Sequence, residues 1–234
     1  MIKAAIEKIL AIAEVGTFEI HKQTYSTQPI HRVKPHIDKA TSIHLQTLSS
    51  LVEFVKHNDG LKNQTMICID GPKEVYLKSN MLPDGSRETY AQVVAVVPNI
   101  SYDCHFDLED FNIMLQSKFK DDSQGHKATL LEVVGNYQEE NGVKISDNGV
   151  TQGVTVKKGV RMELVAVPNP VTLKPMRTFT EVEQPESLFV FRMKGGGRAG
   201  IFEADGKAWQ NDAVENIKTY LKKELEGIEI TIVG

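Results

Sequence analysis

Residues 188–204 read LFVFRMKGGGRAGIFEA, and the interpretation of this stretch decides the fold class. Phe189 and Phe191 are two apart, so in a strand they face the same way, as side chains supplying a sheet core do. The three glycines at 195–197 then form the turn between two antiparallel strands, LFVFRMK and AGIFEA. A competing reading exists, because Gly195, Gly197 and Gly200 also satisfy the letters of G-x-G-x-x-G after a strand. A dinucleotide site needs a helix that starts at those glycines and aims its amides at the pyrophosphate. Ile201-Phe202 continues as a strand instead, so the glycines serve the backbone of a tight turn.

Outward from this hairpin the chain is read as separate groups of strand and helix runs. Upstream, Pro168, Pro170 and Pro175 make 167–176 extended and suited to an edge or a crossover. Asp147-Asn148-Gly149 is a strong hairpin turn between KIS and VTQGVTV, and RMELVAV continues the alternation. Downstream, Trp209 opens a helix whose Val214, Ile217, Leu221 and Leu225 form one stripe ending at Gly227, and IEITIV closes as a strand. In the first half, helical spacing is expected over 45–57, from Asp107 as N-cap through Phe111, Leu115 and Phe119, and from about Ser123 to Val134. TFEIHKQTY reads as one strand, while QTMICID, EVYLKSN and the run 88–97 read as a meander broken by Gly71-Pro72 and Pro83-Asp84-Gly85. Strand and helix runs are segregated, so the fold class is α+β, with mixed or mainly antiparallel sheets, flanking helices and a strand-rich C-terminal half. A boundary near residue 135, separating 1–134 from 135–234, is expected, with two intertwined halves of one domain as the alternative.

At 234 residues with 41% hydrophobic and 25% charged side chains, the chain has ordinary globular composition. Two cysteines, Cys68 and Cys104, exclude a disulfide scaffold and a four-cysteine zinc site, so a reduced cytoplasmic environment is the expectation. The longest apolar runs, 9–13 and 93–97, are far short of a membrane span, and Glu7 and Lys8 interrupt what would otherwise resemble a leader peptide. Ile2, Ala5, Ile6, Ile9, Leu10 and Ala13 recur at helical spacing, which predicts an amphipathic helix packing on a core or a partner.

Net charge is −4, which opposes wholesale binding to nucleic acid. Between 150 and 207, however, nine Lys/Arg stand against six Asp/Glu. Arg177, Arg192, Lys194 and Arg198 lie near Phe179, Phe189, Phe191, Phe202 and Trp209, a mixture able to stack bases and hold phosphates. Solvated strand faces and core aromatics account for the same residues. Asp103, Cys104, His105 and Asp107 form the sharpest cluster of metal-ligand types. In a strand Asp103, His105 and Asp107 share one face, and Asp110, Asp121 and Asp122 are close in sequence. A helix cap at Asp107 is the competing use. The seven histidines are scattered, and neither G-x-S-x-G nor G-x-x-x-x-G-K-[ST] occurs, so no cofactor is implied.

Val167 onward, VPNPVTLKPMRTFTEVEQPESLFVFRMK followed by FEADGKAW, resembles the YfdQ-like proteins of phages and prophages, a family without an assigned activity. The likeness is densest over about 130–225, including GVTQGVTVKKG, Phe179, Glu183-Gln184-Pro185, Phe189, Arg192 and Trp209. Over 40–120 it covers a helix after ATSIHLQTLSSLVEFV and another at LEDFNIMLQSKF. The resemblance implies a phage or prophage origin and expression in a host bacterial cytoplasm, with no catalytic residues to carry over. Three expectations follow: a non-catalytic accessory protein that self-assembles into a homo-oligomer, using strand edges and the N-terminal helix; a binder of nucleic acid or a nucleotide through Arg177, Arg192, Lys194, Arg198 and Trp209; and a metal-dependent hydrolase built on Asp103, His105 and Asp107.

Overall fold

A computed structural model of the chain describes every residue except 1, 14–15, 28, 30–31, 34–37, 63, 138–145, 148–151 and 159–160. By its internal contacts the chain divides into Met1–Ala40 with Met81–Glu88 and Thr41–Asn80 with Thr89–Gly234, rather than near residue 135. The first unit holds helix α1 (Ile2–Ala13) and strands β1 (Thr17–Ile20), β2 (Gln23–Ser26) and β3 (Arg32–Val33), ordered β1-β2-β3. The stretch expected as a single strand is therefore a hairpin. His21 and Lys22 turn the chain at φ 50° and 60° without the Asn-Gly or Asp-Gly signal such turns usually carry. Residues 2–8 of α1 are all exposed, Ile2 at 79% and Ile6 at 51%, so these side chains do not dock on a core as their spacing suggested.

The second unit continues with β4 (Ile43–Leu45), α2 (Leu48–His57), β5 (Thr65–Ile69), β6 (Glu74–Ser79), β7 (Thr89–Val94), β8 (Cys104–Asp107), α3 (Leu108–Lys118), β9 (Phe119–Lys120) and α4 (His126–Gly135). It is completed by β10 (Ser146–Asp147), β11 (Gln152–Lys158), β12 (Arg161–Val167), β13 (Val171–Pro175), β14 (Ser187–Lys194), β15 (Arg198–Glu203), α5 (Trp209–Glu224) and β16 (Thr231–Val233). Two five-stranded sheets result, β16-β5-β6-β7-β4 and β8-β15-β14-β13-β9, beside a three-stranded β10-β11-β12. This is the expected α+β architecture. Asn148 and Gly149, read as a turn from sequence, lie outside the described residues.

The β5-β6-β7 meander is antiparallel throughout, and β16 and β4 join its edges in parallel. Alternation in β5 and β6 buries Ile67, Ile69, Val75 and Leu77 on one side. Leu48, Leu51, Val52 and Val55 of α2 and Ile217, Leu221 and Leu225 at the C-terminal end close over that side as one core. A second core joins Phe189, Phe191 and Met193 of β14 to Phe111 and Leu115 of α3 and Leu130 and Val133 of α4. Each half of the chain thus completes a sheet begun by the other, so no boundary falls between them. Each fully buried Leu or Phe side chain stabilises the fold by roughly 1.5–3 kcal/mol, which is why the apolar stripes decide where the helices sit.

Asp107 stands at the N-cap of α3, but its carboxylate makes no capping bond. Capping of this kind falls to Asp122 instead. Its carboxylate accepts from the backbone N–H groups of Gln124, His126 and Lys127 at 3.0, 2.9 and 2.8 Å, where α4 begins. Burial pushes its acidity down, but these three amides outweigh that and hold its carboxyl below the usual aspartate value. Asp122→Ala is expected to cost about 1 kcal/mol at neutral pH. Because the folded state lowers this pKa, the stabilisation is present above the unfolded value and is lost as pH falls through the folded one. Thermal melts of both proteins should therefore converge once the pH drops well below about 4.

Candidate functional site

β13 ends at Pro175, and the segment that follows straps one core to the other before β14 begins. Phe179 and Val182 insert into the core under α2, whereas Phe189 and Phe191, ten residues further on, belong to the other core. Gln184 holds the strap in shape from within. It is 1% exposed, its Oε1 accepts from the backbone N–H of Arg177 at 2.9 Å and of Thr178 at 3.2 Å, and its Nε2 donates to the Phe179 carbonyl at 2.8 Å. The Glu183-Gln184-Pro185 turn singled out in the sequence therefore builds a loop whose product is the position of Arg177.

Arg177 is 4% exposed. Its Nη1 donates to Glu203 Oε1 at 2.9 Å, its Nη2 donates to Ser187 Oγ, and its guanidinium carbon lies 3.8 Å from the centre of the Trp209 ring. Stacking of this kind is worth more in a buried setting than at the surface, about 2 kcal/mol when desolvated. Trp209 itself is 7% exposed at the start of α5. A recess of about 280 Å³ opens over this pair, with Tyr102 beside Arg177, Val97, Pro98 and Ile100 forming an apolar wall and Lys73 contributing a cation.

Three residues that line the recess carry a buried polar atom with no hydrogen-bond partner among the described residues: Tyr102 Oη, Arg177 Nε and Trp209 Nε1. Burial pushes the Tyr102 phenol up to about 12, against the opposing pull of the Arg177 guanidinium and with further upward contributions from the Glu203 and Asp205 charges. Tyr102 is therefore a neutral phenol at physiological pH, able both to donate and to accept. Unpaired buried polar groups cost about 1–3 kcal/mol each, so three of them at one recess mark it as the candidate site.

No protein-family model, curated protein or solved structure matches the chain. The geometry therefore stands on its own.

The binding residues expected from sequence separate into two groups. Arg177 and Trp209 meet in the recess. Arg192, Lys194 and Arg198 belong to the β14–β15 hairpin, where Lys194 pairs across from Arg198 at the turn end. Seven residue steps along β14, about 23 Å at the usual rise, separate Ser187, which bonds to Arg177, from Lys194. Arg192 donates to the Phe191 carbonyl, and Arg198 reaches the His105 carbonyl at 3.3 Å and Asp107 Oδ1 at 3.9 Å. Phe179, Phe189 and Phe191 are buried core, and Phe202 packs edge-on against His105, so these rings offer no platform for bases.

Asp103, His105 and Asp107 do not form a ligand set. Asp103 sits at φ 61° and its Oδ1 accepts from the Glu203 N–H at 3.3 Å, while the Asp107 carboxylate is 78% exposed toward Arg198. Burial, with help from Lys194 and Arg198, holds the His105 imidazole below its ordinary pKa. Among the described residues no three His, Cys, Asp or Glu side chains converge to hold a metal ion. Two cations beside the imidazole make the same point electrostatically, because they repel a further positive charge. Among the described residues, no helix is long and apolar enough to cross a membrane.

Tyr102, Lys73 and Glu203 were not legible as site residues. Each comes from a different connection or strand end, and no spacing rule links them.

Proposed function

We propose that this protein is a non-catalytic binding protein, of phage or prophage origin as the YfdQ-like resemblance implies, that seats a small ligand in the recess over Arg177 and Trp209. The observation that carries this reading is that Tyr102, Arg177 and Trp209, which line one small recess, each carry a buried polar atom without a hydrogen-bond partner among the described residues. A volume near 280 Å³ sits at the lower end of small-molecule pockets, which favours a compact ligand over a polymer groove. Among the described residues that line the recess no nucleophile stands beside a base, which favours binding over turnover.

Trp209 is the single tryptophan of the chain, so its emission reports on this recess alone. Titration with a panel of nucleosides, nucleotides, carboxylates and phosphate is expected to change that emission saturably for at least one class. A flat response to the whole panel, by fluorescence and by thermal shift, removes the proposal.

A second reading, self-assembly into a homo-oligomer, is favoured by Ile2 and Ile6, which lie four apart on α1 and are both exposed. Light scattering coupled to chromatography tests it. A monomer at tens of micromolar sinks this reading, and an oligomer that dissociates in the Ile2→Lys/Ile6→Lys variant supports it.

A further inference from the structure

Resting on the self-assembly reading, but on a different surface from α1, we infer that two copies of this chain pair through the face of the β16-β5-β6-β7-β4 sheet opposite α2 and α5, about a two-fold axis that crosses the strands at Tyr76. The apolar side of this sheet is closed by α2 and α5. What stands on the other side follows from the pairing register. Val233, Cys68, Tyr76, Gln92 and His44 are successive partners across the five strands and make one row. Gln92 Nε2 donates to the Tyr76 hydroxyl at 3.1 Å, as neighbours on one face do. None of the five is buried: Val233 and His44 are exposed, and Cys68, Tyr76 and Gln92 are half-buried.

Strand β6 carries Glu74, Tyr76 and Lys78 on this side, because side chains two apart in a strand point the same way. The Tyr76 hydroxyl donates to Glu74 Oε2 at 2.8 Å, and the Lys78 ammonium lies 4.9 Å from the centre of the Tyr76 ring, so all three share one surface. Asp70 continues the alternation of Met66 and Cys68 and lies level with Glu74, whose carbonyl accepts from the Asp70 N–H at 2.9 Å. Met66 stands level with Lys78. The face is therefore polarised along the strands, acidic at one end and cationic at the other, with the Glu74 and Lys78 positions about 14 Å apart at the usual rise.

This polarity selects both the occupant and its orientation. A two-fold axis lying along the Tyr76 row reverses strand direction in the second copy, so Asp70 and Glu74 of each copy meet Lys78 of the other. An axis parallel to the strands stacks Glu74 on Glu74 and Lys78 on Lys78, where like charges repel. Residues of the row on the axis each face their own copy across the roughly 10 Å that separates packed sheets. Cys68 thus faces Cys68 of the second copy, beyond the about 7 Å limit between Cα atoms that a disulfide can bridge.

Sedimentation velocity and cross-linking on the full chain test this. The chain is expected to pair, with a dissociation constant that rises with salt, because exposed charges are screened. Glu74→Lys and Lys78→Glu are each expected to weaken pairing at least about tenfold, since charges of one sign then face each other. Mixing the two variants in equal amounts is expected to restore it, because the two altered faces complement each other. In a Cys104→Ser chain, a bis-maleimide linker of about 10 Å should join two copies through Cys68.

A chain that is monomeric at tens of micromolar overturns this inference and the self-assembly reading together. An oligomer that Ile2→Lys/Ile6→Lys dissociates, and that Glu74→Lys and Lys78→Glu leave unchanged, overturns this interface and keeps self-assembly. Failure of the mixture to pair, with thermal melts showing both variants folded, overturns the charge-matched orientation. Absence of the Cys68 cross-link in a sample that sediments as a dimer overturns the placement of the axis.

Discussion

Arg177→Met is expected to destabilise the protein by about 3 kcal/mol, the low end of what is lost when one member of a buried ion pair is removed. The loss has three sources. Glu203 keeps a charge whose partner is gone, Ser187 Oγ loses its donor, and the Trp209 ring loses the cation lying 3.8 Å from its centre. The low end applies because the Glu203 side chain is 23% exposed and can recover part of its hydration. For a folding unit of this size the effect corresponds to a fall in Tm of about 6–12 °C. Glu203→Gln, which keeps an acceptor for Nη1, should cost less than half as much. Urea denaturation of the three proteins measures both numbers, and a loss below about 1 kcal/mol in Arg177→Met would mean that the strap, not the ion pair, holds this corner together.

Gly200→Ala is expected to cost about 3 kcal/mol, the upper end for a methyl group forced into a packed site. Gly200 stands opposite His105 where β15 pairs with β8, and a Cβ there would collide with the Cys104 carbonyl oxygen and lie 3.2 Å from its carbon. The obstacle is backbone, which cannot rotate away as a flexible side chain can. Strand β8 must therefore move, taking His105 and the start of α3 with it. Hydrogen exchange should show the β8 amides losing protection ahead of those in β14. Gly195→Ala is the control. Nothing lies within 4 Å of a Cβ at that position, so its effect should stay within about 0.5 kcal/mol. Comparable losses in the two variants would place the sensitivity in the turn and refute the close-approach explanation.

Gly195, Gly197 and Gly200 also show why a motif match is an incomplete statement. The same three letters arise here from unrelated needs: an open turn at Gly195, a left-handed backbone at Gly197 with φ 61°, and a close strand approach at Gly200. The returning strand Ile201-Phe202 was enough to separate these from a phosphate loop, because a phosphate loop requires a helix at that point. By contrast, nothing local separated a core aromatic from a stacking aromatic. Phe189 and Trp209 differ in role because one lies under α3 and α4 and the other under a guanidinium, and both neighbours are distant in sequence.

The candidate site was half legible. Arg177 and Trp209 stood out by residue type, and the structure brings them into contact; Arg192, Lys194 and Arg198 stood out equally and lie at the far end of a hairpin. Residue type and sequence proximity carried no information about that distance, since a strand of eight residues separates its ends by more than the width of a pocket. The His21-Lys22 turn went unread for a related reason. Positive φ at non-glycine residues carries no compositional mark when surrounding strand pairing supplies the energy that holds it.

Period and punctuation in the sequence by themselves determined the α+β class, the β14–β15 hairpin, the β5-β6-β7 meander and the buried stripes of α2, α3 and α5. These are local properties: side-chain direction repeats every two residues in a strand and every 3.6 in a helix, so a short window contains the answer. Tertiary structure alone decided that β16 and β4 flank the meander in parallel, that each half of the chain completes the other's sheet, and that Tyr102, Arg177 and Trp209 gather at one corner. Those outcomes depend on which apolar faces find each other across more than a hundred residues, a choice made by the burial of the whole surface and written in no single segment of it.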